Sequence, residues 1–357
     1  MAIAETIAQE CLAARTHCVL FDHPNRGVIE VRGQDRVPFL HNVLSNDIKS
    51  LSPGEGAPAC LLNAQAKIIA YMNVLCFDEF LWLALDYVLK DKLLEALGKL
   101  IIMEQVELVD RSDELKLISI HGPKAKALLE SIWKTEIPTE LLSHKRINAP
   151  PSPYPLPPSA RGRIRHLCGG LGGEEKGEGG KITVIRINLT GETGFGFLIP
   201  KGETISLGLK PIQPATLETL RIEAGIPRYG IDFDESYIPL EAGLEKAVSF
   251  TKGCFPGQEI LARLDSRGGV NKKLMGLTLE GNVLPKKGDL ITKDGHEVGY
   301  ITSAVFSPTL KKIIALGYLK KEYWEFETSF AIETENGQIP AQIEPLPFYT
   351  TSTQQRN

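Results

Sequence analysis

The stretch KGCFPGQE (residues 252–259) lies near the end of a part of the chain with mixed helix and strand patterns, and strand patterns alone begin at about residue 270. Its two glycines and its proline exclude a regular helix or strand, because glycine admits unusual backbone angles while proline fixes one angle and removes an N–H donor. Apolar residues then recur at helical spacing until the glycine pair at 268–269. The sequence therefore predicts that Cys254 lies on a shaped loop just before a helix.

The thiol of Cys254 has two interpretations. Unpaired N–H groups at a helix start, together with the nearby Lys252, would favour the thiolate and make the sulfur a better nucleophile or metal ligand. Alternatively, an isolated cysteine in a reducing compartment is commonly a small buried hydrophobic residue. The glycines, proline and polar residues around the thiol favour the functional interpretation, because a purely structural cysteine does not need them.

The remainder of the chain divides into parts with different patterns. Residues 1–147 alternate strand-like and helix-like segments, with a hairpin turn at 63–66, which predicts an α+β region. Residues 182–269 return to that pattern and end with the stretch quoted above. Residues 270–357 contain six strand-like segments and the hairpin dipeptides Asp-Gly and Asn-Gly, which predict a small antiparallel barrel.

Residues 148–181 have a different composition, first rich in proline and then in glycine and glutamate. They contain too few apolar residues to offset the entropy of ordering, so we expect a flexible insertion in a surface loop. A proline-rich ligand for a partner domain is the alternative.

Composition argues against several classes of protein. The chain has 357 residues, a formal net charge of -4 and a pI near 6.0, which gives no general attraction to nucleic acid. Its six cysteines form no C-x-x-C pair and its histidines show no ligand spacing, so we expect neither a metal site nor a disulfide framework. No apolar run is long enough to span a membrane, and the first fifteen residues are typical of an amphipathic helix rather than a signal peptide. We therefore expect a cytoplasmic protein.

The octet at 252–259 resembles the K-G-C-[FY]-x-G-Q-E signature of the YgfZ family. Members of that family are folate-binding proteins related to the glycine-cleavage T-protein and are linked to the maintenance of iron–sulfur enzymes. The resemblance implies a redox or transient ligand role for Cys254. The other predicted motif residues are Lys252, Gly253, Gly257, Gln258, Glu259 and, in the following helix, Arg263.

Two further segments resemble T-protein motifs and imply folate contacts. Residues 186–194 match R-x-x-x-T-G-E-x-G, whose glutamate binds tetrahydrofolate in that family, and the matching residue is Glu192. Residues 220–227 match L-R-x-E-x-G-x-P, whose arginine also contacts the folate, and the matching residue is Arg221. Without the resemblance, Glu192 would be a solvated turn residue and Arg221 a member of a surface ion pair.

One departure from the T-protein pattern concerns activity. Aminomethyltransferases carry an aspartate after the first hairpin turn that assists the transfer, whereas residues 65–71 of this chain read QAKIIAY and contain no carboxylate. The sequence therefore predicts a protein that binds a reduced folate, does not depend on transfer chemistry, and supports iron–sulfur cluster assembly or repair, with only an indirect effect on tRNA modification. Two alternatives remain: a tetrahydrofolate-dependent aminomethyltransferase or demethylase, and a non-enzymatic scaffold that docks on iron–sulfur proteins.

Overall fold

The computed structural model of the protein describes residues 2–148, 181–266, 268–326 and 328–350. The predicted insertion therefore lies outside the described residues except at its two ends. The strands of the described chain form two antiparallel sheets and one closed barrel. The helices are α1 (Ala2–Thr16), α2 (Arg36–Val43), α3 (Lys90–Gly98), α4 (Ala125–Trp133), α5 (Pro214–Glu223) and α6 (Gln258–Ser266).

Ten strands form the two sheets. They are β1 (Val19–His23), β2 (Arg26–Arg32), β3 (Gly56–Leu62), β4 (Ile68–Cys76), β5 (Leu81–Asp86), β6 (Glu107–Asp110), β7 (Leu115–His121), β8 (His144–Asn148), β9 (Lys181–Ile187) and β10 (Gly194–Pro200). The first sheet has the order β3-β4-β5-β2-β6, and the second has the order β1-β7-β10-β9-β8. The chain thus returns to the second sheet after the insertion, because β8 and β9 pair on either side of it.

The hairpin of β3 and β4 shows how sequence pattern becomes structure. In the first part of β4, buried and half-buried residues alternate, as expected for a strand with two unequal faces. Cys60 of β3 pairs with Tyr71 of β4, and the turn between the strands closes with the Ala66 N–H donating to the Asn63 carbonyl oxygen. The predicted hairpin is therefore present.

The two sheets pack against each other through one shared apolar cluster. Val28 and Trp82 of the first sheet meet Leu117 and Leu198 of the second in that cluster. The opposite face of the first sheet packs on α2 and α3, and the opposite face of the second packs on α4. Helices α1 and α5 cover the β1 edge of the second sheet.

The last part of the chain forms a closed six-stranded barrel with the order β11-β14-β13-β12-β15-β16. Its strands are β11 (Lys272–Leu279), β12 (Leu290–Lys293), β13 (His296–Ser307), β14 (Lys312–Lys320), β15 (Ser329–Thr334) and β16 (Gly337–Glu344). The Asp-Gly turn between β12 and β13 has φ of 51° at Asp294 and 78° at Gly295, the positive angles that a two-residue hairpin turn requires. The predicted fold class, an α+β region followed by an antiparallel barrel, is confirmed.

Candidate functional site

Residues 252–257, here called the motif loop, lead into α6. Cys254 is exposed, whereas Cys11, Cys60 and Cys76 are buried and Cys18 is half-buried. Burial raises the pKa of the Cys11 and Cys60 thiols to about 12. Cys254 is therefore the most accessible thiol among the described cysteines, and it precedes α6 by four residues.

Lys252 anchors the motif loop to the end of α2. Its ammonium group donates to the carbonyl oxygens of His41, Leu44 at 2.5 Å and Asn46 at 3.3 Å. These acceptors lie at or just beyond the last turn of α2, where a cation is favourable. The side chain is 8% exposed, and burial lowers its pKa to about 8. The described partners of the ammonium are backbone carbonyls, so the structure gives Lys252 an anchoring role that the sequence did not indicate.

Gly257 brings the motif loop against the hairpin turn of the first sheet. Its φ is +80°, and a Cβ at this position would lie 2.7 Å from the Ala66 Cα and 2.8 Å from the Asn63 carbonyl oxygen. The loop is closed by the Gln258 side-chain amide, which donates to the Lys252 carbonyl oxygen at 3.3 Å. The motif loop therefore packs directly on the turn at 63–66, where the segment 65–71 begins.

The remaining motif residues face outward. Gly253 has no atom within 4 Å of a hypothetical Cβ. Glu259 and Arg263 form an ion pair of 2.8 Å on α6, with side chains 86% and 57% exposed. Neither residue of this pair contacts the motif loop through a described hydrogen bond or ion pair. The role of Glu259 and Arg263 in the motif stays a prediction.

Glu192 belongs to a buried group of charges, here called the Arg15 hub (Arg15, Glu192, Glu223). The Arg15 guanidinium donates to Glu192 at 2.9 Å and to Glu223 at 2.5 Å, and the Tyr349 ring lies 4.0 Å from it. Glu223 also accepts from the Ser307 hydroxyl of the barrel. Burial raises the pKa of the Glu192 carboxyl, against the opposing effect of Arg15. The predicted folate-binding carboxylate is thus paired within the protein.

Arg221 is the centre of a second group, here called the Arg221 hub (Arg221, Glu218, Asp232, Ser303). It pairs with Glu218, with Asp232 at 2.8 Å, and with the Ser303 hydroxyl at 2.8 Å. The side chain is 6% exposed and the Asp232 side chain is fully buried. The hub joins α5 to the barrel, so the second predicted folate contact is also satisfied within the protein.

The predicted residues are connected through two elements. Arg221 and Glu223 both lie on α5, which places the two hubs side by side on that helix. Phe233, next to Asp232, shares an apolar cluster with Phe255 of the motif loop. The structure therefore links the motif loop and the Arg221 hub through a common core, although the described contacts do not join Cys254 to Glu192.

A set of polar residues that the sequence did not single out lies near the same core, and we call it the Arg26 cluster (His23, Arg26, Tyr71, Asp86, Arg228). Arg26 pairs with Asp86 at 2.9 Å. Burial, together with the cations of Arg26 and Arg228, lowers the pKa of His23 to about 3. Burial raises the pKa of the Tyr71 phenol, and Arg26 and Asp86 also act on it. Apart from His23 and Arg26 these residues are far apart in sequence, so no local motif could have indicated the whole cluster.

Three further observations concern pockets, metal ligands and membrane-spanning helices. Two surface depressions lie on the barrel, away from every predicted site residue, and one of them is lined by residues such as Lys293 and Phe330. The described residues contain no group of three or more histidine, cysteine, aspartate or glutamate side chains that could hold a metal ion. No helix within the described ranges is long and apolar enough to cross a membrane.

Comparisons with known proteins agree with this architecture. The GCVT N-terminal domain model matches residues 1–148, and the glycine cleavage T-protein C-terminal barrel domain model matches residues 272–350. An aminomethyltransferase of Rubrobacter xylanophilus is 32% identical over 355 residues, which cover 96% of this chain and 86% of the relative. One of Caldanaerobacter subterraneus is 29% identical, with 97% and 88% covered.

A solved structure shows the same fold. The glycine cleavage system aminomethyltransferase T from Bartonella henselae matches with a TM-score of 0.79 and 22% identity, over 97% of this chain and 90% of that protein. The sequence match of 32% over nearly the whole chain shows in addition that the protein is related to the aminomethyltransferases. The chain belongs to the aminomethyltransferase family of the glycine cleavage T-protein.

Proposed function

We propose that the protein binds a reduced folate such as tetrahydrofolate and supports the assembly or repair of iron–sulfur clusters through the Cys254 thiol. The observation that carries this proposal is the contact of the motif loop with the first hairpin turn, where Gly257 leaves no room for a side chain beside Ala66 and Asn63. The exposed thiol of Cys254 precedes Gly257 by three residues. Its partners would be iron–sulfur proteins or their assembly factors, and any effect on tRNA modification would be indirect.

The strand after that turn supports a role without aminomethyl transfer. Ala70 is fully buried in the core of the first sheet, and Tyr71 takes the next position. Residues 65–71 offer no carboxylate to handle a proton. Since general acid–base catalysis typically contributes ~10²–10⁴-fold to rate, its loss would leave binding intact while removing efficient transfer.

Membership of the family supports the folate part of the proposal, and calorimetric titration of the purified protein with tetrahydrofolate tests it. We expect saturable binding with one folate per chain. A single-turnover reaction with tetrahydrofolate and an aminomethyl-loaded lipoyl carrier protein should give no transfer above the uncatalysed rate. A flat titration contradicts folate binding, and efficient transfer contradicts the non-transferase role.

A tetrahydrofolate-dependent aminomethyltransferase is the second candidate, because the curated relatives that match along the chain bear that name. One carboxylate in the structure favours it specifically. Asp86 is 32% exposed, pairs with Arg26 and lies close enough to Tyr71 to influence its pKa. It could replace the missing aspartate of residues 65–71.

The two candidates are separated by one pair of variants. If the protein transfers aminomethyl groups through Asp86, then Asp86→Asn lowers the single-turnover rate by ~10²-fold or more while tetrahydrofolate still binds. Asp113→Asn is the matched control, because that carboxylate is 81% exposed, lies two residues before β7 and pairs with Lys201. Under our proposal the unmodified protein shows no such rate.

A further inference from the structure

A surface depression on the barrel takes no part in the proposed function. It has a volume of about 400 Å³ and lies between the turn that joins β13 to β14 and the loop that follows β11. Both connections are at the same end of the barrel, because the end of β11 pairs with the start of β14. Pockets for small molecules commonly have volumes of about 300–1,000 Å³ and occur at the mouths of β-barrels. The depression is therefore large enough for a small ligand.

Apolar residues line part of the depression, and one of them is exposed. At this end of the barrel a row of register partners crosses neighbouring strands: Phe306, Ile313, Leu279, Ala341 and Phe330. Partners in such a row point to the same face of a sheet. The other four are buried, whereas Phe306 is 55% exposed. The Phe306 ring thus offers an apolar surface that the barrel core leaves uncovered.

Four exposed polar residues line the same depression: Glu280, Asn282, Lys311 and Lys312. None of them makes a side-chain hydrogen bond or ion pair to another described residue. By contrast, Lys286 of the same barrel pairs with Glu335 at 2.6 Å. Two ammonium groups and one carboxylate leave one positive charge in excess. The free groups therefore suit an anion that also carries an N–H donor for the carboxylate.

The turn between β13 and β14 holds Lys311 in an uncommon backbone conformation. Its φ is 56°, in the left-handed region that glycine and asparagine occupy far more readily than lysine does. The turn is fixed, because the Lys311 N–H donates to the Ser307 carbonyl oxygen at 2.8 Å and the Ser307 hydroxyl donates to Glu223 of α5. Residues held in unfavourable conformations are concentrated at functional sites. The backbone does not favour a lysine at 311, which points to a use of its side chain.

We propose that this depression binds a free purine nucleoside monophosphate, with the base on Phe306 and the phosphate on Lys311 and Lys312. An aromatic ring stacks on any base, and ammonium groups are common phosphate ligands. Glu280 accepts from the amino group of the base, which accounts for a carboxylate beside two lysines. A single excess positive charge and a net charge of -4 give no attraction to a long phosphate backbone, so the occupant is a free nucleotide.

The test compares adenosine monophosphate, adenosine and inorganic phosphate by calorimetry with the full chain. We expect the nucleotide to bind ~tenfold or more tightly than either of its parts, because stacking and charge act together. Phe306→Ser should weaken nucleotide binding by ~tenfold, the effect typical of losing one stacked base. The double variant Lys311→Gln, Lys312→Gln should lower the nucleotide affinity to that of adenosine. Lys286→Gln makes the same kind of charge change outside the depression and should have no effect.

The outcomes are independent of folate binding. A flat titration with millimolar adenosine monophosphate, or unchanged affinity in the folded double lysine variant, would overturn the nucleotide site. The double variant keeps the test decisive if Phe306→Ser does not fold, because both lysines are exposed on a turn. Tighter binding of single-stranded oligoadenylate than of the monophosphate would also overturn it, since the site would then serve a nucleic acid strand. Displacement of the nucleotide by tetrahydrofolate would place its binding elsewhere and contradict the inference as well.

Discussion

The two hubs and the motif loop use charged residues in opposite ways. In the Arg15 and Arg221 hubs, buried guanidinium groups are matched to buried carboxylates and hydroxyls, and the contacts tie helices α1 and α5 to the barrel. In the motif loop, the one charged side chain is turned inward as an anchor while the thiol of Cys254 is exposed. A family motif therefore identifies a position in the sequence. Only the structure shows whether the side chain at that position already has hydrogen-bond or ion-pair partners within the protein.

The largest effect is expected in the Arg221 hub. Arg221→Met leaves the fully buried Asp232 without its cation, and breaking a buried pair in this way typically costs about 3–5 kcal/mol of unfolding free energy. Arg263→Met is the matched control, because its pair with Glu259 is exposed and such helix pairs contribute about 0.3–0.5 kcal/mol. Urea unfolding of the unmodified protein and of the two variants measures both losses of unfolding free energy.

Similar losses for Arg221→Met and Arg263→Met would contradict the structural role of the hub. They would also make Arg221 available for the folate contact that its sequence motif implies.

The next effect concerns the contact of the motif loop with the hairpin turn. Gly257→Ala adds a Cβ that meets backbone atoms of Ala66 and Asn63 and forces a positive φ on alanine, so we expect a loss of about 2–4 kcal/mol. Gly253→Ala meets no atom within 4 Å and should cost far less. Thermal unfolding of both variants checks this, and equal melting temperatures would show that the loop does not pack on the turn.

A smaller effect is expected from Lys252 and depends on pH. Burial lowers its pKa from the ordinary 10.5 to about 8, so between these values the unfolded chain binds more protons than the folded one. Stability should therefore rise with pH across that window, by on the order of 1–3 kcal/mol relative to Lys252→Met, and be independent of this group below it.

The measurement is urea unfolding of both proteins from pH 7 to 10.5, because the other titrating groups cancel in the difference. If the unfolding free energies of the two proteins change with pH in parallel, the three carbonyl acceptors compensate the burial of the ammonium group.

The smallest change in stability is expected at Cys254. An exposed residue with no described hydrogen bond can be replaced with little cost, so Cys254→Ser should change the unfolding free energy by less than about 0.5 kcal/mol. Cys60→Ser should cost more, because Cys60 is fully buried in the core. Alkylation near neutral pH, followed by mass spectrometry, should also modify Cys254 before Cys11, Cys60 and Cys76. A slower reaction at Cys254 would make its thiol structural.

Sequence patterns predicted the architecture well because they reflect local physics. Alternation in β4, the proline at the start of α5 and the Asp-Gly turn at 294–295 each specify a backbone shape from neighbouring residues. The same patterns also placed Cys254 on a loop before a helix.

The partners of the site residues could not be predicted in this way. Arg15 meets Glu192 across 177 positions of sequence, and Lys252 reaches the carbonyls of α2 across more than 200. Such contacts depend on how the sheets, helices and barrel pack together. The Arg26 cluster has the same origin, since its members come from different strands and a distant loop.

We propose that function depends on the Cys254 thiol rather than on aminomethyl transfer. The most direct test of this proposal is the activity of an iron–sulfur enzyme in cells that lack the native protein and express either the unmodified chain or Cys254→Ser at equal levels. We predict that the unmodified chain restores the activity and that Cys254→Ser, although folded and able to bind tetrahydrofolate, does not. Full restoration by Cys254→Ser would contradict the account.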